Sequence, residues 1–399
     1  MEVRTMSEKI DPKYIQSYCS GCGLCHMMYG YELKEDTKGF PTIVNGDPAV
    51  LKNICPVFYY EGAAKHDVWG VVKKALIGYS SDADVRFKAA SGGALTELCI
   101  YLLESRKVTA ILQTSYDPAD QTRTIACVSN TADEVRSRCG SRYSISVPLH
   151  DLKELMKDGE TYAFVGKPCD VMALRRGIAV DPSLGEKIPY LLSFFCAGEP
   201  SVNAQNDLLS AIGTSREKFD EITYRGNGWP GYTTVTEKDG NVLTMEYKTA
   251  WGKHLGRDIR NLCRFCLDGT GDAADIVCAD FWYLGEDGTP DFSEHEGRNI
   301  IIARTERGVE VLDGAVDSRR LEIEEDFTPK VNTELKLYQP AQFKRKGTMR
   351  SMIRAMRLCG RKPPKYGKGY LKKYGSHLEG KVKRKFFLGT VKRVLKGKI

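Results

Sequence analysis

Thirteen cysteines are spread unevenly along the 399 residues, and the densest group has the clearest chemistry. Cys19-Ser-Gly-Cys22-Gly-Leu-Cys25 carries three thiols at two consecutive two-residue gaps. Three thiolates so spaced can wrap one short loop around three irons of a cubane cluster. Gly21 and Gly23 allow the tight backbone this needs. Loop N–H groups aimed at the cluster sulfides would also favour its reduced, more negative state. Cys55, followed at once by Pro56, is the candidate fourth ligand, because a Cys-Pro pair commonly closes a ferredoxin motif. The spacing departs from the bacterial pattern: 29 residues separate Cys25 from Cys55, and a second ferredoxin half is missing. Zinc also uses Cys-x2-Cys, but it usually draws on two separated pairs. A [4Fe–4S] cluster is therefore the expectation, with zinc and unligated thiols as alternatives.

The remaining cysteines are dispersed. Cys169 lies in GKPCDVMALRR, Cys196 in FFCAGEPS, and Cys263 and Cys266 in LCRFC. By spacing alone only the last pair suggests metal, and weakly. Cys169 and Cys196 each follow an expected strand, where a doubly wound sheet presents ligands and cofactors. Cys99 and Cys127 read as core, Cys278 sits in a strand-like run, and Cys359 reads as a bystander. Cys139 adjoins the Ser141–Tyr143 stretch as either an inert thiol or one that tunes it. Ser91-Gly92-Gly93 precedes a helical stretch, so its N–H groups could take a phosphate, or simply cap the helix. Ser141, Arg142 and Tyr143 offer a hydroxyl, a cation and a ring suited to a dinucleotide, although such residues are common on any surface. Gly226, Gly228 and Trp229 could shape a ring pocket or only a turn. His254 and His295 are candidates for proton delivery without a motif behind them.

The elements that must position these residues alternate in type. ALTELCIYLLES has helical spacing, and VTAILQTSY reads as a buried strand. Thr131 suits an N-cap. The helix LHDLKELMKDG, the strand TYAFVG, the helix CDVMALRRG, the strand IPYLLSFFCAG and a helix capped by Ser201 follow in turn. This rhythm predicts an α/β core with an at least partly parallel sheet, α+β overall. YTTVTEKDGNVLTMEYK turns at Asp239-Gly240 and predicts a hairpin. The expected organisation is a ferredoxin-like segment over 1–65, an α/β core over 71–330 and a basic tail over 331–399.

Charge sharpens that last boundary. From Ala341 to Ile399 there are 20 Lys and Arg against a single acid, Glu379, whereas the rest carries 39 basic and 51 acidic residues. The tail fits an anionic membrane surface or an acidic partner. Nucleic acid is not expected, because no binding module accompanies the charge. No apolar stretch approaches the ~20 residues of a membrane span, and the first residues lack the apolar core of a secretory signal. The expected location is the cytoplasm, with peripheral membrane association through the tail. A reducing compartment argues against a disulfide framework for these cysteines.

Eight motifs, in order, resemble one family. They are CSGCGLC, ASGGALTEL (Ala90–Leu98), CGSRYSIS (Cys139–Ser146), GKPCD (Gly166–Asp170), FFCAGEPS, YRGNGWPG (Tyr224–Gly231), CRFC and ADIVCADFW (Ala274–Trp282). From Cys19 to about Ile323 the chain looks like the coenzyme F420 hydrogenase/dehydrogenase beta-subunit family. That family includes divinyl chlorophyllide reductases and 7-hydroxymethyl chlorophyll a reductase. The resemblance implies a second [4Fe–4S] cluster on Cys169, Cys196, Cys263 and Cys266, with FAD beside it. It implies an oxidoreductase passing electrons between ferredoxin, or another low-potential carrier, and an F420-like deazaflavin or conjugated ring. Two alternatives stand beside it: an electron-transfer subunit serving a partner enzyme, and a cluster-stapled protein with a non-redox role in surface polysaccharide biosynthesis.

Overall fold

A computed structural model describes residues 12–58, 68–366, 371, 378–397 and 399. The expected first segment and the expected tail both run partly outside these residues. In chain order, β1 (Leu33–Glu35) and β2 (Pro41–Ile43) form a small hairpin. β3 (Lys74–Ser80), β4 (Ala110–Asp117), β5 (Asp120–Ser129), β6 (Tyr162–Gly166) and β7 (Tyr190–Phe194) follow. β8 (Phe219–Thr223), β9 (Tyr232–Glu237) and β10 (Val242–Glu246) make a separate antiparallel sheet. Its β9–β10 turn is the one expected at Asp239-Gly240. β11 (Ile276–Asp280), β12 (Asn299–Ala303) and β13 (Leu321–Asp326) complete the main sheet, ordered β13-β3-β12-β11-β7-β6-β4-β5.

The main sheet changes character across its width. β4, β6, β7 and β11 run parallel, whereas β12, β3 and β13 alternate in direction and β5 folds back on β4. Parallel neighbours need crossover helices, and these sandwich the sheet. On one face, Leu98, Ile100 and Leu102 of the helix Ala94–Glu104 meet Val311 and Leu312 of the helix Glu306–Asp317 over Ile111, Leu192 and Ile301. On the other, Val171, Met172 and Leu174 of the helix Pro168–Val180 are fully buried. Burying each such side chain contributes roughly 1.5–3 kcal/mol.

That second face also carries both ends of the described chain. Leu24, Met27 and Ile54 pack there, and so do Met349, Met352, Ile353 and Met356 of the helix Pro340–Leu358. Gly177 gives Leu24 room, since a Cβ there would lie 3.2 Å from the leucine methyl. The expected basic tail is thus built into the body over its first part. Val331 and Leu335 are buried beside Trp69, and Val394 of the helix Gly380–Leu395 is buried as well. Thr131 and Ser201 cap their helices as expected, accepting from Glu134 and Ala204 N–H. The helix expected from Leu149 shrinks to Leu152–Leu155. Its lead-in is diverted because Leu149 N–H donates to Cys22 C=O at 2.9 Å.

Candidate functional site

The first cysteine loop is held open by backbone geometry that favours glycine. Gly21 and Gly23 have φ of 70° and 90°. A Cβ at Gly23 would come within 2.6 Å of His150 N, and one at Gly21 within 2.5 Å of Arg260 Nη2. Gly21 N–H points at Cys19 Sγ, 3.4 Å away. Cys55 arrives from the far side, at the C-terminus of the helix Pro48–Ile54, its N–H bonded to Leu51 C=O at 2.8 Å. Cys19, Cys22, Cys25 and Cys55 line one cavity whose apolar wall includes Ile15, Leu33, Ile43 and Leu51. Burial pushes the Cys22 thiol up to about 11. Burial, and then the neighbouring thiols, push Cys25 and Cys55 higher. A cation entering here must displace thiol protons, so its binding would weaken as pH falls.

The second set comes together from three places. β6 ends at Gly166, and Cys169 follows in the first turn of the helix Pro168–Val180. β7 ends at Phe194, and Cys196 follows, its N–H bonded to Gly269 C=O at 2.9 Å. Cys263 and Cys266 lie in a single turn in which Cys266 N–H reaches Cys263 C=O. Both strands are parallel members of the sheet, so these two thiols sit where such sheets gather function. Burial raises all four thiols, with Cys196 and Cys266 up to about 12. The Asp170 carboxylate and then neighbouring thiols add to the rise at Cys169, a neighbouring thiol at Cys196, Asp268 and neighbouring thiols at Cys266, and Glu199 at Cys263. The helix Pro340–Leu358 closes this site. Gln342 Nε2 and Arg345 Nη1 donate to Cys196 C=O at 2.9 and 3.1 Å.

From Cys196 a cavity of about 520 Å3 runs across the carboxyl ends of β6, β7 and β11 to the helix Ala94–Glu104. Its size is that of an ordinary small-molecule pocket. Ser91, Gly93, Ser141, Arg142 and Tyr143 line it. Gly92 instead packs against the Arg298 backbone and the Asn299 amide. Ala94 N–H, at the helix start, is taken by Asn299 Oδ1 at 3.1 Å. Arg142 is the conspicuous wall residue. Its guanidinium sits over the Tyr116 ring and donates to Arg138 C=O, yet its Nε is buried without a hydrogen-bond partner. Burial lowers its pKa, which marks a cation short of a counter-charge. Arg225, by contrast, is fixed in a two-pronged pair with Asp280 at 2.7 and 2.9 Å.

Other candidates fall elsewhere. Gly226 and Gly228 occupy a left-handed turn beside the buried Trp229, behind the wall of this cavity. His254 pairs with Asp207 at 2.7 Å and His295 with Asp291 at 2.8 Å, neither of them on the cavity wall. Lys167, Glu199 and Arg260, between the two cysteine sets, were not singled out from sequence, nor were Gln342 and Arg345. Lys167 and Glu199 stand two and three residues from cysteines in motifs, which was the available signal.

Residues 75–154 match the N-terminal model, and residues 159–327 the C-terminal model, of the coenzyme F420 hydrogenase/dehydrogenase beta subunit. The chain belongs to that family. It is similar to the coenzyme F420 hydrogenase subunit beta of Methanococcus voltae, 26% identical over 274 residues, 67% of this chain and 91% of that protein. It is also similar to the coenzyme F420-dependent sulfite reductase of Methanocaldococcus jannaschii, 24% identical, covering 62% of this chain and 38% of that one. A chain of the F420-reducing [NiFe] hydrogenase complex from Methanosarcina barkeri shares the fold. Its TM-score is 0.54 at 21% identity, over 74% of this chain and 96% of that one. Membership makes this chain an oxidoreductase-family protein. The matched span 75–327 holds Cys169, Cys196, Cys263 and Cys266, whereas Cys19–Cys55 and the helix Pro340–Leu358 lie outside it. Among the described residues, no helix is long and apolar enough to cross a membrane.

Proposed function

We propose that this chain is an iron–sulfur flavoprotein that moves electrons between a low-potential carrier such as ferredoxin and an organic acceptor. Cys19, Cys22, Cys25 and Cys55 would hold one [4Fe–4S] cluster, and Cys169, Cys196, Cys263 and Cys266 a second. FAD would occupy the adjoining cavity. One observation carries the reading: Cys196 belongs both to the second thiol set and to the cavity wall. A cluster held there would lie against whatever fills the cavity. Among the described residues, no three His, Cys, Asp or Glu side chains converge closely enough for a single metal ion. The two consecutive two-residue gaps of Cys19, Cys22 and Cys25 suit a multi-iron cubane better than zinc, which usually draws on separated pairs.

The chain's own residues have clear tasks in this reading. Arg142 offers its unpaired N–H to an anionic group such as a pyrophosphate, while Ser141 and the start of the helix Ala94–Glu104 line the same stretch. Tyr143, Trp251 and Trp282 supply flat apolar walls for rings. Gln342 and Arg345 fix the carbonyl of Cys196. When bound, the clusters would supply one-electron transfer, and FAD the conversion between one- and two-electron chemistry. The names of the relatives point to the deazaflavin F420 as one acceptor. A conjugated ring system is the other.

A second reading is favoured by the M. barkeri neighbour, which belongs to a hydrogenase complex. In it this chain serves as the electron-transfer subunit of a partner enzyme docked on the basic C-terminal helices. Anaerobic purification with iron, sulfide and flavin analysis tests the proposal. About eight irons and one FAD per chain are expected from two four-iron sites. Zinc in place of iron, or a colourless protein after reconstitution, would sink it. Reduction of F420 by the isolated chain separates the enzyme reading from the subunit reading.

A further inference from the structure

Four charged side chains lie buried between the two cysteine sets. Asp170 Oδ2 meets Lys167 Nζ at 3.3 Å, and Lys167 Nζ meets Glu199 Oε1 at 3.1 Å. Glu199 Oε2 accepts from Arg260 Nε at 2.6 Å. The side chains of Asp170, Glu199 and Arg260 are 0, 2 and 4% exposed. Each belongs to a segment that delivers a cysteine. Asp170 adjoins Cys169, Glu199 follows Cys196 by three residues, and Arg260 precedes Cys263 by three. Arg260 then reaches across to the other set. Its Nη1 donates to Cys19 C=O at 3.2 Å and to Pro41 C=O at 3.0 Å. Its Nη2 lies against Gly21 and is buried with no hydrogen-bond partner. Two acids balance two bases here, so desolvation is offset inside the group and not by water.

An orphaned guanidinium N–H facing a cysteine loop calls for an acceptor that the protein does not supply. We infer that Arg260 is a positioning residue shared by both cysteine sets: it clamps the CSGCGLC loop onto the inner site and directs Nη2 at a sulfur of the N-terminal cluster. This rests on the two-cluster reading above. One electron added to either cluster adds one negative charge and needs no proton or further reactant. A fixed cation beside both sites stabilises that reduced state at each. Arg260 therefore raises both midpoint potentials. The N-terminal cluster feels it more, because only that cluster also receives the Nη2 hydrogen bond.

The test uses the full chain, reconstituted anaerobically, with potentials read by EPR-monitored titration. Arg260→Gln should shift both cluster signals to more negative potential, the N-terminal one further. Arg260→Lys, which keeps the charge but not the fork, should restore the inner potential and leave the N-terminal one low. Lys157→Gln, an exposed charge remote from both sets, should move neither. Arg260→Gln strands Glu199; if it fails to fold, Glu199→Gln/Arg260→Gln removes that unpaired acid and leaves the net charge unchanged. Only the N-terminal signal, which loses the Nη2 hydrogen bond, should then move to more negative potential. Unchanged potentials in folded, iron-replete variants overturn the inference, as does a shift confined to the inner signal. Wild-type protein with fewer than two cluster signals would overturn the two-cluster reading itself, an outcome visible before any variant is made.

Discussion

The two cysteine sets solve the same problem in opposite ways. Cys19, Cys22 and Cys25 share one seven-residue loop, shaped by two left-handed glycines, with Cys55 delivered by one short helix. Cys169, Cys196, Cys263 and Cys266 are brought in by β6, β7 and a separate turn, nearly a hundred residues apart at the extremes. The loop is a local device that the body holds at few points, through Leu149 N–H and the Arg260 guanidinium on its carbonyls. The inner set exists only once the parallel half of the sheet has assembled. Damage to the two should therefore spread differently.

The largest contrast is expected from single ligand changes. Cys22→Ser should remove about half the iron and leave flavin in place, whereas Cys266→Ser should remove the other half and release flavin too. Iron and flavin assays on each variant check this, and flavin loss from Cys22→Ser would erase the distinction. Next in size is Arg142→Gln. Losing a charge-assisted bond of roughly 1.5–3 kcal/mol should weaken FAD binding ~10- to 100-fold, measured by flavin titration, with iron content unchanged. Deleting the chain from Gly380 onward exposes the groove filled by Val394 and Thr390. It should cost about 2 kcal/mol in denaturant unfolding while both iron sites still load.

The smallest effect concerns the seam between the regions. Glu35 on β1 grips Arg123 on β5 at 2.5 and 3.1 Å, and this hydrogen bond holds the Glu35 carboxyl below its usual range. A depressed carboxylate contributes stability that is present above its unfolded pKa, roughly 4.3. That contribution fades as pH falls through the lower folded value. Glu35→Gln should then melt slightly earlier than wild type at pH 7, by less than about 1 kcal/mol for an exposed pair. The gap should narrow as pH falls below roughly 4.3, and a gap that widened in acid would contradict a depressed Glu35 carboxyl.

Legibility followed the same division. The CSGCGLC spacing is chemistry written in consecutive residues, and the strand–turn–helix around GKPCD could be read from periodicity. Convergence of Cys169 with Cys196, Cys263 and Cys266 could not be, since nothing in their spacing fixes strand order; the family resemblance pointed to it. For Arg260 and Glu199 the only trace in the sequence is nearness to a motif cysteine, because the pairing of buried ions is specified by three-dimensional neighbours. The helix Pro340–Leu358 is a different kind of miss. Its charge suggested a tail that meets an anionic surface or an acidic partner, yet Met349, Met352, Ile353 and Met356 stand at the helical spacing of a buried stripe. Net charge dominated where periodicity should have been weighed.

The packing of both chain ends on one face has a consequence for biosynthesis. Tyr18 donates to Lys362 C=O at 2.8 Å, and Tyr14 accepts from Lys365 N–H at 2.9 Å. Made from the N-terminus at ~5–20 residues per second, the helix Pro12–Tyr18 leaves the ribosome well before those partners exist. Its cysteine loop must wait uncovered for tens of seconds while some 340 further residues are translated. That interval is a window in which iron and sulfide can be loaded, and in which oxygen can reach the bare thiols. Translation speed through the rest of the message thus sets how long this cysteine loop stays open.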